Sequence, residues 1–263
     1  MNNFNKKIVN LKTEPFLIFK IDDFFDYNFY LDIKKLFDNN KINTKKLSIN
    51  DNFGKGSIDA SLLSFDNESQ KKIFTKLNNI IFSNEFFSFF VKKIYFLNIK
   101  NQKNNFRKIK YLRYPILDTN DPRFIGSGEK KGSSIIDFLF SKISVRYALS
   151  YIKNEGGIVP HVDAVRKYLS LMLYFPDDYE KEIEYGTTFW KSNSPNFTNK
   201  HIENNNRAEE FKSENKILYK SPFVSNCLYG FLRNDYSWHT VEPVNISPSY
   251  IRKSININFL YSN

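Results

Sequence analysis

The chain has 263 residues, 41% of them hydrophobic, enough to build a sizeable core in a globular protein of one large domain or two small ones. Its 39 Lys and Arg against 28 Asp and Glu give a formal charge of +11, but the lysines are spread along the chain rather than massed in one block. A single cysteine, Cys227, excludes an intrachain disulfide and any cysteine-rich zinc site.

A charge of that size admits nucleic acid, anionic lipid or an acidic substrate as partners. It is equally what a biased genome produces, because Asn, Lys, Ile, Phe and Tyr, all with AT-rich codons, are abundant throughout. The N-terminus "MNNFNKKIVNLKTEPF" has no apolar core of signal-peptide length, and runs such as "FFSFFV" are too short to span a bilayer. The expectation is a soluble cytoplasmic protein in a reducing compartment.

The opening "EPFLIFKIDDFF" has strand-like character up to Asp22 and Asp23, and "YNFYLDIKKLFDNN" then sets Tyr30, Ile33, Leu36 and Phe37 on one helical face. Residues 67–95 hold further helices with lysines outward and Phe, Leu and Ile inward, so that residues 1–107 read as a mainly helical support. From about Lys108 the texture changes to short aromatic and β-branched runs between turn signals: "IKYLRYPIL", "SVRYALSYI", "KYLSLMLYF", "YGTTFW", "NCLYGFL" and "SININFLY". Such spacing predicts a β-sandwich or barrel-like sheet over 108–263, and with no Pro- or Gly-rich linker between the two textures the chain reads as one domain. A polar stretch between Trp190 and Pro222 (about 191–222) reads as a long surface insertion and a candidate lid.

Only three histidines occur, and one of them, His161 in "VPHVDAVRKYLSLMLYF", stands one residue from Asp163 at the lip of a strand. On an extended backbone an imidazole and a carboxylate at that spacing leave the same face, so two ligands converge on one ion. His239, in "NDYSWHTVEPV", offers a third, and two histidines with one carboxylate form the facial triad of non-heme Fe(II) oxygenases. Arg252 follows 13 residues later and opens "RKSININFLY", whose alternation turns Arg252, Ser254, Asn256 and Asn258 to one face. An arginine is a fixed fork of donors suited to a carboxylate. Lys253 is the alternative clamp, although alternation turns it away from Ser254.

His161, Asp163, His239, Arg252 and Ser254, in that order, resemble the 2-oxoglutarate and Fe(II) dependent dioxygenases, particularly the prolyl-4-hydroxylase-like branch. "YIKNEGGIVPHVD", "YGTTFW" and "SWHTVEPV" are similar to segments of that branch, and the likeness is densest from about 144 to 260. The resemblance implies a double-stranded β-helix of the jelly-roll, cupin-like kind. It implies Fe(II) held by His161, Asp163 and His239, 2-oxoglutarate as cosubstrate, and ascorbate as a reductant. Arg252 would pair with the distal carboxylate of 2-oxoglutarate, with Ser254, Tyr151 and Tyr174 adding hydrogen bonds. Because the carboxylate ligand is present, the implied outcome is hydroxylation with release of succinate and CO2 rather than halogenation. The implied substrate is a small molecule, a sugar-linked intermediate or a peptidyl residue.

Three other readings stay open at this stage. Repair of alkylated nucleic acid would suit the charge, but the second arginine that those demethylases carry six residues after the first is here Asn258. A binding module without turnover and a metal enzyme that does not use 2-oxoglutarate are the others. "GSGEKKGSS" (126–134) fails the phosphate-loop pattern and reads as a turn, His201 reads as a surface residue, and Cys227 as a small buried one. The sequence names neither the substrate nor the oligomeric state.

Overall fold

The computed structural model describes residues 6–37, 48–50, 54–65, 67–101, 114–117, 140–178, 182–192, 202 and 204–261. The 126–134 turn and His201 lie outside these residues.

The N-terminal part contains β1 (Val9–Lys12), β2 (Ile18–Ile21), helix α1 (Tyr27–Lys34), β3 (Ser48–Asn50), β4 (Lys55–Asp59), helices α2 (Glu68–Ile81) and α3 (Asn84–Asn101), and β5 (Tyr114–Leu117). Helix α1 starts where the Asp26 carboxylate accepts the Phe29 amide at 3.1 Å, satisfying one of the free N–H groups of the first turn. It buries Phe29, Tyr30 and Ile33. Asn67 caps α2 in the same way, accepting from the Ser69 amide at 2.8 Å.

Eight further strands follow: β6 (Phe140–Lys153), β7 (Ile158–His161), β8 (Lys167–Tyr174), β9 (Thr188–Lys191), β10 (Lys216–Lys220), β11 (Leu228–Leu232), β12 (His239–Val241) and β13 (Ile251–Tyr261). Strands β11-β8-β13-β6 are neighbours in a major sheet, and β10-β9-β12-β7 form a minor one. The chain alternates between the sheets, apart from the β9–β10 step within the minor one, and this is the double-stranded β-helix expected from the sequence. Short strands accompany the N-terminal helices among the described residues. β1 and β2 extend the major sheet beyond β11, while β4 and β3 extend it beyond β6, and β5 runs parallel to the start of β6. These strands are three to five residues long, too short to show an alternation in the sequence.

Alternation along the long central strands divides two cores. Leu171, Leu173, Ile255, Ile257 and Phe259 face outward onto Phe86, Phe90 and the other helical residues. Met172, Tyr174, Tyr229 and Phe231 face inward and meet Phe189 of the minor sheet. With both faces covered, β8 is buried along almost its whole length, which is why "YLSLMLY" is so uniformly apolar.

The stretch between Trp190 and Pro222 is not a plain insertion. It carries helix α4 (Asn205–Glu214) and β10, a strand of the minor sheet. Phe211 of α4 packs against Trp190 and Trp238, with ring centroids 5.8 and 4.8 Å away. The helix buries only Ala208 and Phe211, so its sequence shows too few apolar positions to betray it. Among the described residues no helix is long and apolar enough to cross a membrane.

Candidate metal centre

Strand register brings the two histidines together. β12 runs antiparallel to β7 with His239 directly opposite His161, and the ring centroids are 4.2 Å apart. Asp163 lies two residues past the end of β7, with Oδ1 4.0 Å from His161 Nε2. One ligand atom from each of the three side chains falls within 4.8 Å of the others. The turn before β7 holds this register, because the Val244 amide donates to the Gly156 carbonyl at 3.0 Å and the Glu155 amide to the Val244 carbonyl at 2.6 Å. A Cβ on Gly157 would lie 2.8 Å from the Val241 carbonyl oxygen, so β7 approaches β12 this closely only with glycine there. Gly157→Ala is expected to cost about 1–3 kcal/mol of unfolding free energy, measured by urea denaturation, by forcing the strand pair apart.

Both imidazoles are set in the ligating tautomer. His161 Nδ1 lies 2.9 Å from the Val159 carbonyl and His239 Nδ1 lies 3.0 Å from the Ser237 carbonyl. A carbonyl only accepts, so each Nδ1 carries the proton and each Nε2 is the unprotonated, ligating nitrogen. Burial pushes both rings below the usual histidine pKa, His161 strongly so with His239 beside it, and both are neutral. For Asp163, burial raises the pKa, but the Lys167 ammonium that donates to it outweighs this and holds the group well below the usual carboxylate range. The centre therefore offers two neutral nitrogens and an anionic oxygen, a donor set that suits Fe(II) with coordination positions left open.

Three residues that the sequence did not single out position the carboxylate. Lys167 Nζ donates to Asp163 Oδ1 at 2.5 Å, and Ser170 Oγ donates to Oδ2 at 2.6 Å. Arg233 Nε donates to the Asp163 carbonyl at 3.0 Å while its Nη1 pairs with Asp235 at 2.9 Å. Asn258, where a demethylase would carry its second arginine, has its side-chain oxygen 3.2 Å from the Ser170 hydroxyl. Spacing alone offers a faint signal for Lys167, four residues after Asp163, and for Ser170, on the inward parity of β8; Arg233 has none. Ser170→Ala is expected to weaken metal binding by roughly 10- to 100-fold, as losses around a ligand's outer shell commonly do, read by isothermal titration with Co(II).

Arg252 lies in the inward row of β13, buried at 3% exposure. Its Nε donates to the Tyr185 carbonyl at 2.6 Å, and its guanidinium lies over the rings of Tyr174 (5.0 Å) and Phe223 (4.6 Å). No described residue is hydrogen-bonded to its two Nη groups, which leaves the fork available to an incoming carboxylate. Ser254 shares that inward face and is buried, with its hydroxyl 3.5 Å from Asn256 Oδ1. Lys253, on the opposite face, pairs with Asp177 at 3.0 Å and does not belong to the pocket.

The two tyrosines differ from what the resemblance implies. Tyr174 faces inward under Arg252, but its hydroxyl is engaged by Thr187 Oγ1 at 2.8 Å and Ser221 Oγ at 3.0 Å. It supports the arginine with its ring. Tyr151 belongs to the outward parity of β6 and packs edge-on against Phe37 in the core beneath the helices. Its side chain is therefore on the far side of the sheet from Arg252. Cys227 is buried just before β11, and burial raises its thiol pKa to about 12, consistent with a packing residue.

No protein-family model matches the chain, and no curated protein does. Among solved structures it is similar to a prolyl-4-hydroxylase from Pseudomonas putida, at 10% identity over 94% of this chain and 93% of that one, with a TM-score of 0.44. It is also similar to HygX from Streptomyces hygroscopicus, solved with nickel, 2-oxoglutarate and hygromycin B bound, at 8% identity over 93% and 83% of the chains and a TM-score of 0.49. A third is a prolyl 4-hydroxylase from Phytophthora capsici, at 10% identity over 93% of this chain and 59% of that one, TM-score 0.44. At these identities and scores none of the likenesses assigns a reaction to this chain.

Proposed function

We propose that the protein is an Fe(II)- and 2-oxoglutarate-dependent dioxygenase that hydroxylates a small-molecule, sugar-linked or peptidyl substrate. The observation that carries this reading is the His161, Asp163 and His239 group, with ligand atoms within 4.8 Å and both Nδ1 nitrogens bonded to backbone carbonyls. In balance, the substrate C–H, dioxygen and 2-oxoglutarate give the alcohol, succinate and CO2.

Fe(II), when bound, supplies dioxygen activation coupled to decarboxylation of 2-oxoglutarate. The chain's own residues do the rest. His161, Asp163 and His239 would hold the ion, a set of three protein ligands that leaves coordination positions open. Arg252 would take the far carboxylate of 2-oxoglutarate on its fork, to whose Nη groups no described residue is hydrogen-bonded, with the Ser254 hydroxyl on the same inward face. The rings of Phe231 and Phe189, 4.7 and 6.3 Å from that of His239, line the interior with apolar surface and exclude water. Ascorbate would act as an external reductant that keeps the iron ferrous.

Incubating the Fe(II)-loaded protein with carbon-13-labelled 2-oxoglutarate in air tests this reading. Labelled succinate is expected at a slow, uncoupled rate, dependent on both iron and oxygen. Conversion that stays below one equivalent per iron-loaded, folded protein would overturn it.

A further inference from the structure

The backbone places Lys55 at this site. Gly54 has φ +61°, and a Cβ there would lie 3.0 Å from Gly156 Cα, so the two glycines meet backbone to backbone. The Gly54 carbonyl also accepts from the Lys153 amide at 3.0 Å. The start of β4 is thus fixed to the turn that leads into His161. In the major sheet Lys55 is opposite Ile152, and Ile152 is opposite Arg252. Directly paired residues share a face, so the three form one row. Ile152 packs on Val241 and Val244 of the β12 side, which makes that face the barrel interior. Lys55 and Arg252 therefore enter the same pocket from either side of β6.

The Lys55 ammonium has no hydrogen bond or ion pair with any described residue, although the side chain is half-buried. Its electrostatic neighbours are Lys167, Asp163 and Arg252, and its field reaches both histidines. Three other half-buried lysines have a carboxylate: Lys34 and Lys253 pair with Asp177 at 3.0 Å each, and Lys212 with Glu242 at 2.8 Å. The described acids around the pocket are already used. Asp163 is held by Lys167, Asp59 accepts the Ser61 amide and hydroxyl, and Glu182 accepts the Asp177 amide, the Asp178 amide and the Tyr250 hydroxyl. A cation withdrawn from water beside two others, with no described carboxylate paired to it, is costly unless an anion arrives to meet it.

We infer that Lys55 anchors an anionic group of the substrate, a carboxylate or a phosphate, beside the metal centre and separately from the carboxylate held by Arg252. This rests on the dioxygenase reading and narrows its substrate class to molecules that carry an oxyanion close to the carbon that reacts.

Inorganic phosphate serves as the probe. Its phosphorus-31 relaxation is measured anaerobically with the Fe(II)-loaded protein, with and without 2-oxoglutarate, alongside the visible band of the 2-oxoglutarate complex. Wild type is expected to give a saturable relaxation enhancement. Lys55→Gln should weaken it by at least about tenfold, the scale of a lost charge-assisted hydrogen bond, and Lys55→Arg should restore it. The affinity for 2-oxoglutarate should change by less than about threefold in Lys55→Gln, because Arg252 is untouched. No saturable enhancement in wild type, or the same enhancement in Lys55→Gln, would overturn the inference. A tenfold loss of 2-oxoglutarate affinity in Lys55→Gln would also overturn it, by giving Lys55 to the cosubstrate. If wild type forms no 2-oxoglutarate band, the dioxygenase reading fails, and the phosphate series without 2-oxoglutarate still decides whether Lys55 is an anion site.

Discussion

His161→Ala and His239→Ala are each expected to lower Fe(II) affinity by more than about 100-fold, beyond what loss of a supporting outer-shell contact costs. Each would remove one of the three side chains proposed to hold the ion, from a site whose remaining members cannot move to compensate. His161 and His239 end and begin strands paired directly with each other, and Asp163 is fixed by Lys167, Ser170 and Arg233. The barrel should persist, since neither imidazole belongs to the large hydrophobic clusters of the two sheets. Metal content after gel filtration, with circular dichroism to confirm folding, checks the result. One tightly held equivalent of iron in either folded variant would place the ion elsewhere.

Arg252→Met is expected to raise the dissociation constant for 2-oxoglutarate by roughly 30- to 5,000-fold, the range for truncating one partner of a buried, hydrogen-bonded charge pair. Methionine retains the apolar contact over Tyr174 and Phe223 but removes the fork. Arg252→Lys should recover only part of the affinity, because an ammonium cannot reproduce the two parallel donors. Lys253→Ala is the internal control. Its ammonium points to Asp177 on the other face of the sheet, so 2-oxoglutarate affinity should stay within about twofold. Titration of the iron-loaded variants gives all three values.

The sequence carried the metal centre further than it carried the pocket around it. His161 and Asp163 are local neighbours, and their spacing on an extended chain already implies convergence; the single remaining histidine near a strand end, His239, completes the set. The register that sets His239 opposite His161 is a long-range property that no local pattern encodes. Arg252 and Ser254 were legible because "SININF" in β13 alternates polar and apolar residues and fixes which face they share. The same alternation argues against Tyr151. In "SVRYALSYI" it shares its parity with Val145, Tyr147 and Leu149, the residues that pack under the helices. Tyr174 has the inward parity, but Thr187 and Ser221, the latter 47 residues away, claim its hydroxyl. Lys55 had no local signal at all, because it reaches the pocket through pairing with a strand nearly 100 residues further on.

The most direct test of the central claim is an anaerobic titration of the Fe(II)-loaded protein with 2-oxoglutarate, followed through the visible metal-to-ligand charge-transfer band. The band should rise to saturation at one equivalent per iron, vanish in His161→Ala and require far more 2-oxoglutarate in Arg252→Met. A folded, iron-loaded protein that shows no band at saturating 2-oxoglutarate would mean that His161, Asp163 and His239 serve a metal chemistry in which 2-oxoglutarate has no part.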